Sequence, residues 1–145
     1  MENASLLKKI CLKTYNYIAN SVIGSIGGIM KIWNGTLLEL SFSIATRHSI
    51  ITIPRIIGMD DNLCDTNFYA PHTTLDRIKI LQEVRTLLNS IHHPYKILAG
   101  DFNMVLNLGE KKGGLRILDH ELVAFQSSLE ALNLIDIPTS NDIYT

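Results

Sequence analysis

Leu98-Ala99-Gly100-Asp101-Phe102-Asn103 decides the reading of this chain. A short apolar run, Ile97 to Ala99, ends in Gly-Asp-x-Asn. The run has the length of a buried strand, and its polar residues stand at the end. Gly100 lets the backbone turn or be approached closely. Asp101 and Asn103 share one side wherever strand geometry continues. A carboxylate can hold a metal or orient water, and an amide can grip a phosphate oxygen. Together they suit phosphodiester chemistry. Asp-x-Asn is equally a turn signal, so the rest of the chain has to decide.

Upstream, residues 74–91 read as the clearest helix. Leu75, Ile78, Leu81, Val84, Leu88 and Ile91 make an apolar stripe, and Thr73 or Thr74 caps its start. His92-His93-Pro94 ends it. Residues 66–69, 49–53, 37–42 and 29–33 read as strands. Asn34-Gly35 between the last two is a hairpin signal. These four strands are expected in one sheet, with the 74–91 helix on its outer face. Residues 55–65 read as irregular. Residues 5–19 predict an amphipathic helix with Leu6, Leu7, Ile10, Cys11, Tyr15 and Ile18 near one face. Downstream, a glycine-rich loop runs to Gly114. Asp119 then caps a second helix with Leu122, Phe125, Leu129 and Leu132 inward. Ile135 to Ile137 reads as a short strand. Strands alternating with helices favour a layered α/β fold.

One domain, 1–145, is the natural reading of 145 residues, and 46% hydrophobic content supports a packed core. The net charge of −1 excludes a global basic footprint for nucleic acid. A DNA partner would need a local patch, and Lys111, Lys112 and Arg116 offer one. The same three residues also read as a solvated loop. Cys11 and Cys64 form no disulfide framework and no metal spacing. Lys8 and Lys9 interrupt the first apolar residues, so no secretory signal is expected. The Val22 to Met30 stretch is too short and too rich in glycine to span a bilayer. An intracellular location, nuclear or cytoplasmic, follows as the expectation. Neither a membrane nor an obligate protein partner is expected.

Five pieces stand in order along the chain. They are Gly27-Gly28-Ile29-Met30-Lys31-Ile32-Trp33-Asn34, Asn67-Phe68-Tyr69-Ala70-Pro71, Gly100-Asp101-Phe102-Asn103, Glu110-Lys111-Lys112-Gly113-Gly114 and Leu134-Ile135-Asp136-Ile137-Pro138. Their order and spacing resemble the endonuclease/exonuclease/phosphatase family. Within it they resemble the apurinic/apyrimidinic-type endonuclease domain of plant non-LTR retrotransposons. The resemblance implies a four-layer α/β sandwich of two sheets flanked by helices, a divalent metal (usually Mg²⁺) and hydrolytic nicking of DNA.

It also implies roles. Tyr69 would donate its hydroxyl to a phosphoryl oxygen as charge develops there. Asp101 would orient or deprotonate the attacking water and offer a carboxylate to metal. Asn103 would hold phosphate and water in line. Tyr69, Asp101 and Asn103 should then converge from the ends of two neighbouring strands. The family's N-terminal asparagine and glutamate, and its terminal Ser-Asp-His, have no counterpart here. The chain therefore reads as an internal, truncated piece of such a domain. Two outcomes stand open: a working phosphodiesterase, or an inactive retroelement remnant or weak nucleic-acid-binding module.

Overall fold

The computed structural model describes residues 14–20, 28–60, 63–106 and 119–137. The elements are β1 (Tyr15–Ala19), β2 (Met30–Asn34), β3 (Leu38–Ala45), β4 (Ser49–Ile56), β5 (Cys64–Tyr69), α1 (Thr74–Ser90), β6 (Lys96–Asp101) and α2 (Asp119–Ala131). The strands form a two-stranded sheet, β1-β2, and a four-stranded sheet, β3-β4-β5-β6. Two sheets and two helices make an α/β sandwich-type arrangement, as expected. The described residues fall into two compact units. One holds those up to Phe68 together with His93–Ala99. The other holds Tyr69–His92 and those from Gly100 on. No described helix is long and apolar enough to cross a membrane.

In the first unit, β1 and β2 pair antiparallel, with Tyr15 opposite Asn34 and Ala19 opposite Met30. This corrects two expectations. Tyr15–Ala19 is a strand, not the end of a helix, because a partner strand satisfies its backbone and suits its two tyrosines. The rest of the expected helix lies outside the described residues. The second correction concerns β2, which joins β1 and not the four-stranded sheet. Asn34-Gly35 does reverse the chain. Leu37 N–H donates to Asn34 O at 3.1 Å, and Asn34 Oδ1 accepts from Thr36 N at 2.9 Å. But Gly35 N–H donates to Thr14 O at 2.8 Å, which lengthens the β1-β2 ladder. A turn signal sets a reversal and leaves the partner open.

Lys31 is where β2 meets the larger sheet. Its Nζ donates to Thr52 Oγ1 of β4 at 2.7 Å and forms an ion pair with Asp65 of β5. β4 lies between β3 and β5, and its first four residues, Ser49 to Thr52, are buried. Pro54 cannot donate to a ladder, and β3 is bulged opposite it between Leu40 and Phe42. β4 runs to Ile56 and β5 begins at Cys64, so the irregular stretch is shorter than expected. Cys64 is fully buried, and burial pushes its thiol pKa up.

In the second unit, α1 starts where its cap dictates. Thr73 Oγ1 accepts from Asp76 N–H, and the Asp76 carboxylate accepts from the Thr73 hydroxyl. Leu81, Val84 and Leu88 of the stripe are buried, but Leu75 is 80% exposed. Leu75 belongs to the first turn, ahead of the buried stretch. α2 opens at Asp119 and buries Phe125, with Leu132 buried just past its end. Asn133, at φ 53°, closes it in the left-handed conformation that asparagine tolerates. Beyond it, Ile135 and Ile137 are 87% and 81% exposed and form no strand. Their alternation finds no partner strand among the described residues.

Candidate functional site

β5 and β6 end side by side. Cys64 N–H donates to Tyr95 O at 2.8 Å, and Ala70 N–H donates to Asp101 O at 2.8 Å. Both bonds join residues of the same separation in the same order, which is the signature of parallel strands. Parallel strands with a helical crossover are what the β5-α1-β6 order requires. In that ladder Tyr69 lies opposite Asp101. The backbone pairing thus sets Tyr69 and Asp101 at the ends of neighbouring strands.

Asn103 completes the arrangement in a way its spacing did not foretell. The strand ends at Asp101, and Asn103 turns to φ 49°. Its backbone N–H donates to Asp101 Oδ1 at 3.0 Å. That is an Asx-turn, so the turn reading of Asp-x-Asn is what this hydrogen bond shows. A continuing parallel strand would have donated the same N–H to Ala70 O. The Asn103 side chain takes over that task, with Nδ2 donating to Ala70 O at 2.9 Å. Gly100, at φ 145°, holds a backbone conformation that side-chain-bearing residues avoid. The two strand ends are thus clasped by Ala70 and Asn103 beside the Tyr69 and Asp101 side chains.

This clasp makes Asn103 a conformational residue as well as a polar one. Asn103→Ala is expected to lower unfolding free energy by about 1–3 kcal/mol, from the lost hydrogen bond and the left-handed backbone. Asn103→Gly loses the same bond but tolerates the positive φ, so it should cost less. Urea melts of both variants would check this. Equal losses would mean that the backbone conformation contributes nothing.

Several residues around the clasp carry no motif. The His72 ring meets the Tyr69 ring edge-on, with centroids 6.5 Å apart and planes at 88°. Arg77 Nη1 donates to His72 O at 2.6 Å, and Arg77 pairs with Glu121 of α2. Phe102, inside the motif, packs against Phe125 of α2 at 5.1 Å. Gln126 Nε2 donates to Leu106 O at 2.8 Å. Periodicity had marked Phe125 as inward. Nothing in the sequence marked Arg77 or Glu121, because charge at helical spacing reads as a solvated face.

Lys111, Lys112 and Arg116 lie outside the described residues. Among the described residues no three His, Cys, Asp or Glu side chains stand together as metal ligands. Asp101 supplies one carboxylate, already accepting from Asn103. Mg²⁺ takes near-octahedral oxygen ligation from one or two carboxylates with waters and substrate phosphates. The described residues do not by themselves fit a protein-held Mg²⁺ site.

No family's sequence model matches the chain, and no curated protein does. Solved structures do match, and the fold they share with it is the endonuclease/exonuclease/phosphatase fold. One is D. rerio TDP2 humanized by 14 mutations, with TM-score 0.56 and 16% identity over 85% of this chain and 51% of that one. Another is D. rerio TDP2 complexed with a single-strand DNA product, with TM-score 0.51 and 17% identity over 72% of this chain and 44% of that one. The human Nocturnin catalytic domain with bound sulfate matches with TM-score 0.50 and 15% identity, over 69% of this chain and 46% of that one. The likeness is one of fold. The chain spans about half the length of these structures.

Proposed function

We propose that this chain carries part of the phosphodiesterase site of a DNA endonuclease domain, of the apurinic/apyrimidinic type found in non-LTR retroelements. The observation that supports it most is the placement of Tyr69 opposite Asp101 at the clasped ends of β5 and β6. In this reading the Tyr69 hydroxyl donates to a non-bridging phosphoryl oxygen, where negative charge grows as the bond to phosphorus forms. The Asp101 carboxylate orients the attacking water and accepts its proton. Asn103 Nδ2 has two protons. One goes to Ala70 O, and the other is assigned to the phosphate. DNA is the proposed substrate, with Lys111, Lys112 and Arg116 meeting its backbone. Mg²⁺ is the proposed cofactor, with Asp101 as one carboxylate toward it and further ligands needed beyond the described residues. The complex of D. rerio TDP2 with single-strand DNA product supports a nucleic-acid ligand for this fold.

That no three His, Cys, Asp or Glu side chains stand together among the described residues favours a second reading of the same site, as a remnant that binds nucleic acid and cleaves it little or not at all. Binding tests what the two readings share. A fluorescein-labelled single-stranded oligodeoxynucleotide should raise its anisotropy on titration with the purified chain. Tyr69→Phe should weaken the affinity about tenfold or more, the ~1.5–3 kcal/mol of a hydrogen bond to a charged group. An unchanged affinity would remove Tyr69 from the site. Absence of binding by the wild-type chain would overturn the nucleic-acid assignment.

A further inference from the structure

Arg77 and Glu121 form a largely buried ion pair between α1 and α2, their side chains only 13% and 7% exposed. Arg77 spends all three nitrogens. Nε donates to Glu121 Oε1 at 3.1 Å, Nη1 to His72 O at 2.6 Å and Nη2 to Thr74 Oγ1 at 3.1 Å and to Glu121. Such a pair is weak evidence for stability, since the desolvation of two charges offsets most of their attraction. An apolar pair would close the same helix contact as well. What an apolar pair could not do is hold the His72 carbonyl. That carbonyl lies in the short segment after Tyr69 and Ala70, and its own ring stands against Tyr69. One turn further along, α2 places Phe125 against Phe102 and Gln126 on Leu106 O. Both arms of the clasp are thus tied to one helix.

We propose that Arg77 and Glu121 are positioning residues for the Tyr69–Asp101–Asn103 site. Through the His72 carbonyl they hold the Tyr69 arm at a set distance from the Asp101–Asn103 turn, which α2 holds through Phe102 and Leu106. The functional part of this inference rests on the phosphodiester reading of the site. The guanidinium fork suits the task, because its planar donors set direction as well as distance. The pair acts on substrate through the His72 carbonyl and Tyr69.

The test separates positioning from stability and from the functional reading. Amide exchange is measured on the full chain and on the double variant Arg77→Met with Glu121→Leu, together with the thermal midpoint. The expected result is an unchanged or raised midpoint and unchanged protection at Val84 and Leu88. At Ala70 and Asn103, whose N–H groups form the clasp, protection should fall about tenfold. Affinity for the labelled oligodeoxynucleotide should fall by a similar factor. Glu121→Gln keeps the shape and one acceptor, and should recover most of both. Unchanged exchange at Ala70 and Asn103 overturns the proposal, and so does a loss spread evenly over all amides. A wild-type chain that binds no oligodeoxynucleotide, while clasp exchange responds as expected, sinks the functional reading and leaves the brace standing. Should the double variant fail to fold, Arg77→Lys, which keeps the charge and loses the fork that holds the His72 carbonyl, decides alone. Faster exchange confined to Ala70 and Asn103 supports the brace, and its absence overturns it.

Discussion

Asp101→Ala is expected to lower Mg²⁺-dependent nicking of supercoiled plasmid by about 10²–10⁴-fold, the usual contribution of a positioned general base. The wild-type rate is itself expected to be very low. No cluster of three metal-ligating side chains stands among the described residues, and Asp101 Oδ1 is already engaged by the Asn103 N–H. Members of a cooperative site lose far more together than each loses alone. The measurement is conversion of supercoiled to open-circular plasmid by the purified chain, with and without Mg²⁺, beside the Asp101→Ala protein. Robust nicking that disappears in the variant would overturn the remnant reading and establish a working enzyme with ligands beyond Asp101. Nicking that survives unchanged would leave Asp101 without the role proposed for it.

The second large effect is on stability. Leu88 is 1% exposed on α1, whereas Leu75, on the same sequence stripe, is 80% exposed. Leu88→Ala removes buried methyl and methylene groups and leaves a cavity, at a cost of about 2–5 kcal/mol. Leu75→Ala removes a side chain that water already surrounds, and should change stability by no more than about 0.5 kcal/mol. Urea unfolding of the two variants would read the contrast directly as a difference in midpoint at constant slope. Similar losses at both positions would contradict the burial assigned to α1.

That contrast also marks how far the sequence could be read. The span of α1 was legible because its causes are local: a Thr73 cap, an apolar repeat near 3.6 residues and a stop at His92-His93-Pro94. Which members of the repeat are buried was not, since Leu75 and Leu88 look alike until the helix meets its neighbours. The same split runs through the site. Gly100, Asp101 and Asn103 announced a strand end and a polar turn. The exchange of backbone for side-chain donor at Ala70 O was not announced, because it depends on a strand 33 positions away. Arg77 and Glu121 lie 44 positions apart, and neither residue carries a mark of burial in its own surroundings.

Local chemistry in this chain determined the reversal at Asn34-Gly35, the strand of β6, the extent of α1 and the inward position of Phe125 on α2. Each rests on dihedral preference, capping or periodicity, and these act over a few residues. Tertiary structure alone decided that Tyr15–Ala19 is a strand, that β2 pairs with β1, and that Ile135 and Ile137 stay outside any sheet. It also decided that Tyr69 stands opposite Asp101 with one helix tied to both arms. Strand partners and buried ion pairs are settled by which backbone groups and charges remain unsatisfied once distant segments meet. A window of sequence contains the donors and acceptors, and only the folded chain contains their pairing.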